Sequence, residues 1–113
     1  MHSTTTRQWL IAVWSCCFIF GVVRPVAAED HVVSIRDYRF SPEILSIKAG
    51  DTVRWINLEK RSSHSILFDG AETIESERLF PGEVWSRHFD VPGKFQYHCG
   101  PHPEMFGMIE VFE

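Results

Sequence analysis

In the run Tyr97-His98-Cys99-Gly100-Pro101-His102-Pro103-Glu104-Met105, close to the C-terminus, Cys99, His102 and Met105 set a thiol, an imidazole and a thioether three residues apart. A second candidate imidazole, His64, lies upstream. One Cys and two His in a trigonal arrangement, with a weak axial Met, make the ligand set of blue-copper electron-transfer sites. Thiolate and thioether suit Cu(I), imidazole suits either oxidation state, and the mixture lets one cage hold both. The same run speaks to the fold. Cys99 follows a segment with strand character, and Met108 to Phe112 forms another, so the donors share a loop between two strand ends. Pro101 and Pro103 stiffen that loop by fixing backbone φ, and they remove two N–H donors that could tune a thiolate.

Outward from this loop the chain reads as short β-type segments separated by turn residues. Val32 to Tyr38 is a first strand, broken at Ser41-Pro42, and Ile44 to Lys48 a second, ended by Ala49-Gly50-Asp51. Thr52 to Leu58 alternates, with Val53 and Trp55 on one face. A polar loop through Glu59-Lys60-Arg61 and Ser62-Ser63 leads to a strand from His64 to Phe68. Residues 71–81 are the least regular part and read as a short helix or an irregular crossover. Glu83 to Phe89, Lys94 to His98 and Met108 to Phe112 complete the set. About seven to eight short strands with turns at Pro81-Gly82 and Pro92-Gly93 predict an all-β sandwich or barrel of two packed sheets. Tyr38, Phe40, Trp55, Phe68, Trp85, Phe89, Phe95 and Phe106 are its expected core.

The N-terminus reads differently. Arg7, the apolar run Trp9 to Val23 and the small residues Val26-Ala27-Ala28 have the layout of a cleaved export signal over residues 1–28. The apolar run falls short of a membrane span, so no stable anchor is expected after cleavage. Residues 29–113 then form one small domain. Two of the eleven basic residues and none of the fifteen acidic ones lie before residue 29, which leaves nine against fifteen and a formal net charge of −6. That balance argues against nucleic acid or an anionic membrane as partner. Cys16 and Cys17 leave with the signal, so Cys99 stands alone and no intramolecular disulfide is possible. A bound metal would supply the stabilisation that small exported domains usually take from disulfides.

Competing readings of the Cys/His/Met set are weaker. A buried free Cys acting as a small hydrophobe does not account for the C-x-x-H-x-x-M spacing. Zinc accepts Cys and His, but thioether is not among its usual ligands. A binuclear copper centre needs bridging thiolates from two cysteines. One copper ion is therefore expected, held by His64, Cys99, His102 and Met105. Met108 competes with Met105 but falls within the last strand, where a core role is ordinary. His98 points away from Cys99 in an extended chain, and His88 and His31 read as solvated, with His31 at most joining an adventitious amino-terminal copper site. Four protein ligands leave no open position for a substrate, so no enzymatic activity is expected.

Tyr97 to Met105 closely resembles the ligand loop of the amicyanins, the short-loop branch of the small blue copper proteins, or cupredoxins. Tyr38-Arg39-Phe40-Ser41-Pro42 and Ala49-Gly50-Asp51-Thr52-Val53-Arg54-Trp55-Ile56-Asn57 resemble the family's N-terminal strands. The resemblance implies a Greek-key β-sandwich in the bacterial periplasm. It makes His64, Cys99 and His102 the equatorial ligands and Met105 the axial one. It also implies a monomer that shuttles single electrons between a dehydrogenase as donor and a c-type cytochrome as acceptor, docking through an apolar patch around His102. In amicyanins that His can protonate and leave reduced copper, and the same tendency is expected here. Two departures stand out. Ser65 replaces the Asn that usually ties the two ligand loops together, which predicts a looser tie. Glu104 replaces a usually apolar residue and disfavours acidic partners. The rival reading from another class is a copper carrier that delivers the ion itself.

Overall fold

The computed structural model describes residue 21 and residues 27–113; the expected signal at 1–28 lies almost wholly outside them. Among the described residues nine strands make two packed sheets. They are β1 (Asp30–Arg36), β2 (Arg39–Ser41), β3 (Ile44–Lys48), β4 (Thr52–Asn57), β5 (Leu67–Asp69), β6 (Thr73–Glu75), β7 (Val84–His88), β8 (Gly93–His98) and β9 (Phe106–Phe112). One sheet has the order β2-β1-β4-β7 and the other β3-β9-β8-β5-β6. Two pairings are parallel, β1 with β4 and β3 with β9. Both need the chain to cross between sheets before it returns. The result is an all-β sandwich.

Period-2 alternation decides what lies between the sheets. Val33 and Ile35 from β1, Val53 and Trp55 from β4, Tyr97 from β8, and Ile109 and Val111 from β9 are buried. Trp55 is the hub. Its ring meets Phe68 and Tyr97 edge-on at centroid distances of 6.0 and 5.5 Å, and Trp85 at 5.4 Å. Rings of this size bury enough apolar area to dominate a small core. Arg87 takes an inward position near the end of β7, with its guanidinium 4.3 and 4.6 Å from the ring centroids of Phe68 and Phe89. Burial pushes its pKa down, and the aromatic faces offset part of that cost.

The structure corrects several expectations. Residues 71–81 hold strand β6 and an isolated bridge at Leu79, and no helix. The first strand starts at Asp30 and ends at Arg36, because Asp37 and Tyr38 form the two-residue turn to β2, with φ of +53° and +55°. Tyr38 is therefore exposed rather than core. So is Phe106, since the alternation of β9 turns Gly107, Ile109 and Val111 inward. Met108 follows Phe106 to the outer face and lines a shallow groove with Ile44, Gln96 and His98. The strand expected from His64 begins only at Leu67.

Candidate metal centre

Asn57, at the end of β4 and fully buried, shapes the approach to His64. Its Nδ2 donates to the carbonyls of Ser62 and Leu79 at 2.9 and 3.0 Å. Its Oδ1 accepts the Glu59 N–H at 2.9 Å. One amide side chain thus closes the polar loop 58–63 and hands the chain to His64. Two backbone hydrogen bonds with Leu79, of 3.0 and 2.7 Å, then fix His64 in place. Leu79 lies in the stretch that sequence alone leaves irregular.

Cys99 arrives by alternation. Phe95 and Tyr97 lie on the inward face of β8, and Cys99, just past its end, keeps the alternation and has no exposed surface. The loop beyond it closes on itself. Cys99 N–H donates to the Met105 carbonyl at 2.9 Å, and Met105 N–H to the His102 carbonyl at 2.9 Å. The absence of a side chain at Gly100 leaves room for the Ser65–Glu75 pair, because a Cβ there would overlap Glu75 Oε1 and lie 2.6 Å from Ser65 Oγ. Ser65 is the tie between the two ligand loops. Its Oγ accepts the Gly100 N–H at 3.0 Å and donates to Glu75 Oε1 at 3.0 Å. The looser junction expected from a short hydroxyl is offset by Glu75, which extends the connection into β6.

The three donors converge. Cys99 Sγ is 3.6 Å from His64 Nδ1 and 3.5 Å from His102 Nδ1, and the two Nδ1 atoms are 3.2 Å apart. A point equidistant from those three atoms lies about 2.0 Å from each, the bond length of a first-row metal to nitrogen and slightly under that to sulfur. His64 is fully buried and His102 half-buried. Burial, reinforced by His102, holds the His64 pKa down, which favours the neutral, ligating imidazole. Burial pushes the Cys99 thiol up, opposed by the Ser65 N–H 3.5 Å from Sγ. A metal must therefore displace that proton on binding. The residues fit copper: a soft thiolate and two imidazoles on a site of metal-bond dimensions. Met105 is buried at the inner side of the same loop.

Other candidates fall elsewhere. His98 is half-buried on the outer face, its Nδ1 3.8 Å from Asp69 Oδ2. His88 is exposed beside Asp90. His31 is not solvated as expected but half-buried, its Nε2 2.9 Å from Asp51 Oδ2. Asp51 also accepts the N–H groups of Glu29 and Lys48 at 3.0 Å each. Those hydrogen bonds, the one from Glu29 foremost, hold its pKa at about 2. Glu29, His31 and Asp51 satisfy one another far along the sandwich from Cys99, at the start of β4. Two groups at the centre carry no signal in the sequence. Glu75 is one; Glu59 is the other, with Oε1 3.3 Å from His64 Nε2.

Residues 27–112 match the copper-binding proteins of the plastocyanin/azurin family. The chain belongs to that family. Membership makes one copper ion its cofactor and blue-copper electron transfer its class of function. Within the family the chain is amicyanin-like. It is 32% identical over 97 residues to amicyanin from Paracoccus versutus, covering 78% of this chain and 73% of the relative. The solved structure of an oxidised amicyanin mutant superposes with a TM-score of 0.68 at 32% identity, over 72% of this chain and 80% of that one. The cupredoxin fold also occurs inside a larger protein. A copper-containing nitrite reductase from Thermus scotoductus matches with a TM-score of 0.69 at 28% identity, over 74% of this chain and 22% of that one.

Proposed function

We propose that this protein is a periplasmic electron shuttle, with His64, Cys99 and His102 as equatorial copper ligands and Met105 as the weak axial one. The observation that carries the reading is the largely buried triangle of Nδ1, Nδ1 and Sγ with sides of 3.2 to 3.6 Å. Copper supplies a one-electron couple between Cu(II) and Cu(I). The protein's part is to keep the two ligand loops still in both states. Asn57 and Leu79 fix His64, Ser65 joins the two loops, and the Cys99–Met105 and Met105–His102 hydrogen bonds close the second loop. His102 is the donor nearest solvent and offers the electron its exit. Exposed Phe80 and Phe106 and the neighbouring prolines suit brief contact with a redox partner, a dehydrogenase as donor and a c-type cytochrome as acceptor. Exposed Glu104 beside His102 favours a partner with positive charge at the contact. The protein acts as a monomer after a signal over residues 1–28 is removed, and it is not itself an enzyme.

Copper-loaded protein, cycled between oxidation states in the presence of a strong chelator, tests this. Reversible one-electron cycling with slow copper loss is expected. Rapid loss of the ion would instead favour a carrier that delivers copper.

A further inference from the structure

The turn between β1 and β2 sets an aromatic ring against both imidazoles. Asp37 and Tyr38 hold φ of +53° and +55°, a region where a bulky residue is an outlier and Gly or Asn is usual. Such strain persists where surrounding contacts over-determine it. Here they do. Tyr38 N–H donates to Glu59 Oε1 at 2.7 Å, and the Tyr38 hydroxyl lies 2.6 Å from Ser62 Oγ. The Tyr38 ring stands edge-on to His64 and His102, with centroids 5.4 and 5.1 Å away and interplanar angles of 86° and 85°. That is the favoured geometry of an aromatic pair. Glu59 Oε1 also lies 3.3 Å from His64 Nε2, so the carboxylate that accepts the Tyr38 N–H sits beside that imidazole, although the pair falls outside hydrogen-bond geometry. Yet Tyr38 remains 49% exposed. Burial of apolar surface therefore explains little of its presence at a strained position.

We infer that Tyr38 is a positioning residue for the metal centre. Its ring props His64 and His102 in the orientation that turns both Nδ1 atoms toward Cys99 Sγ. His102 depends on it most, being half-buried on a loop between two prolines that have no N–H to anchor it. Among the described residues Tyr38 is the one aromatic ring that touches both imidazoles. The consequence for copper rests on the ligand assignment proposed above; the ordering of the rings does not.

Tyr38→Gly and Tyr38→Phe test the role. Glycine takes a positive φ at no steric cost, so Tyr38→Gly is expected to fold, the relieved strain offsetting part of the lost ring and hydroxyl contacts. In the metal-free protein its His64 and His102 ring NMR signals should broaden or average through exchange. After copper loading, the ion should leave to a chelator on the order of tenfold faster, as the loss of one or two aromatic contacts implies. The thiolate-to-copper absorption should shift as well. Tyr38→Phe keeps the ring and should stay within about twofold of the parent in copper loss. Unchanged ring signals and an unchanged loss rate in Tyr38→Gly overturn the role, and so does a Tyr38→Phe protein as impaired as Tyr38→Gly. Should the parent itself show no thiolate-to-copper band, the copper reading fails, and the metal-free ring signals alone still decide for or against Tyr38.

Discussion

Replacing Ser65 by Ala removes the tie between the two ligand loops while leaving every proposed ligand in place. Ser65 is 2% exposed, and its Oγ both accepts the Gly100 N–H and donates to Glu75 Oε1, each at 3.0 Å. The two losses differ in weight. Glu75 is exposed, so water replaces the hydroxyl there at small cost. The Gly100 N–H is half-buried, and Ser65 Oγ is its acceptor. A neutral hydrogen bond contributes about 0.5–1.5 kcal/mol, and an orphaned buried donor costs about 1–3 kcal/mol. Partial access of water to Gly100 places Ser65→Ala at about 1–2 kcal/mol, or a Tm lower by roughly 5–15 °C in a domain of this size. Urea denaturation of the metal-free protein measures the first quantity, and hydrogen exchange at the Gly100 amide locates it. Glu75→Gln keeps an acceptor and should lie within about 0.5 kcal/mol of the parent. The Ser65 N–H near Cys99 Sγ belongs to the backbone and survives the change, so the copper absorption should be nearly preserved. A Ser65→Ala protein as stable as the parent, with Gly100 exchanging no faster, would refute the reasoning.

Two further predictions probe the frame around the centre. Gly107→Ala should lower Tm by at least about 5 °C, because a Cβ there overlaps Cζ and the hydroxyl of Tyr97, which is 2% exposed and has no room to retreat; a Tm within a degree or so of the parent would contradict this packing. Asp51→Asn tests the linkage at the other end of the sandwich. Because the Asp51 pKa falls from 3.8 unfolded to about 2 folded, its ionised form adds stability that is fully present above pH 4 and lost as pH falls through 2. The stability gap between parent and Asp51→Asn should therefore be widest at neutral pH and close between pH 4 and 2, and a gap constant across that window would show that Asp51 is not the group responsible.

Much of the centre was legible because its chemistry is local. Cys99, His102 and Met105 lie within seven residues, and their spacing needs no knowledge of tertiary contacts. Strands β3 and β4 were legible for a related reason, since Ile44–Lys48 and Thr52–Asn57 alternate cleanly between turn residues. Strands β2 and β6 hold three residues each, too few for a period to emerge. The Asp37-Tyr38 turn carries no Gly or Asn to announce it, which is why Tyr38 read as the end of a strand. Glu59 and Glu75 reach His64 and Ser65 through space from loop and edge positions, and nothing in their neighbourhoods of sequence marks them. Tyr97 and Phe106 are another matter. The alternation that buries Cys99 also buries Tyr97, and the alternation of β9 turns Phe106 outward. Carrying the period through both strands would have placed each on its proper face.

The visible absorption spectrum of the purified protein after addition of one equivalent of Cu(II), taken beside that of Cys99→Ser, tests the central claim most directly. An intense thiolate-to-copper band in the parent, absent from Cys99→Ser and bleached by a one-electron reductant, is the predicted result. A parent spectrum with no such band, or a band that survives in Cys99→Ser, contradicts it.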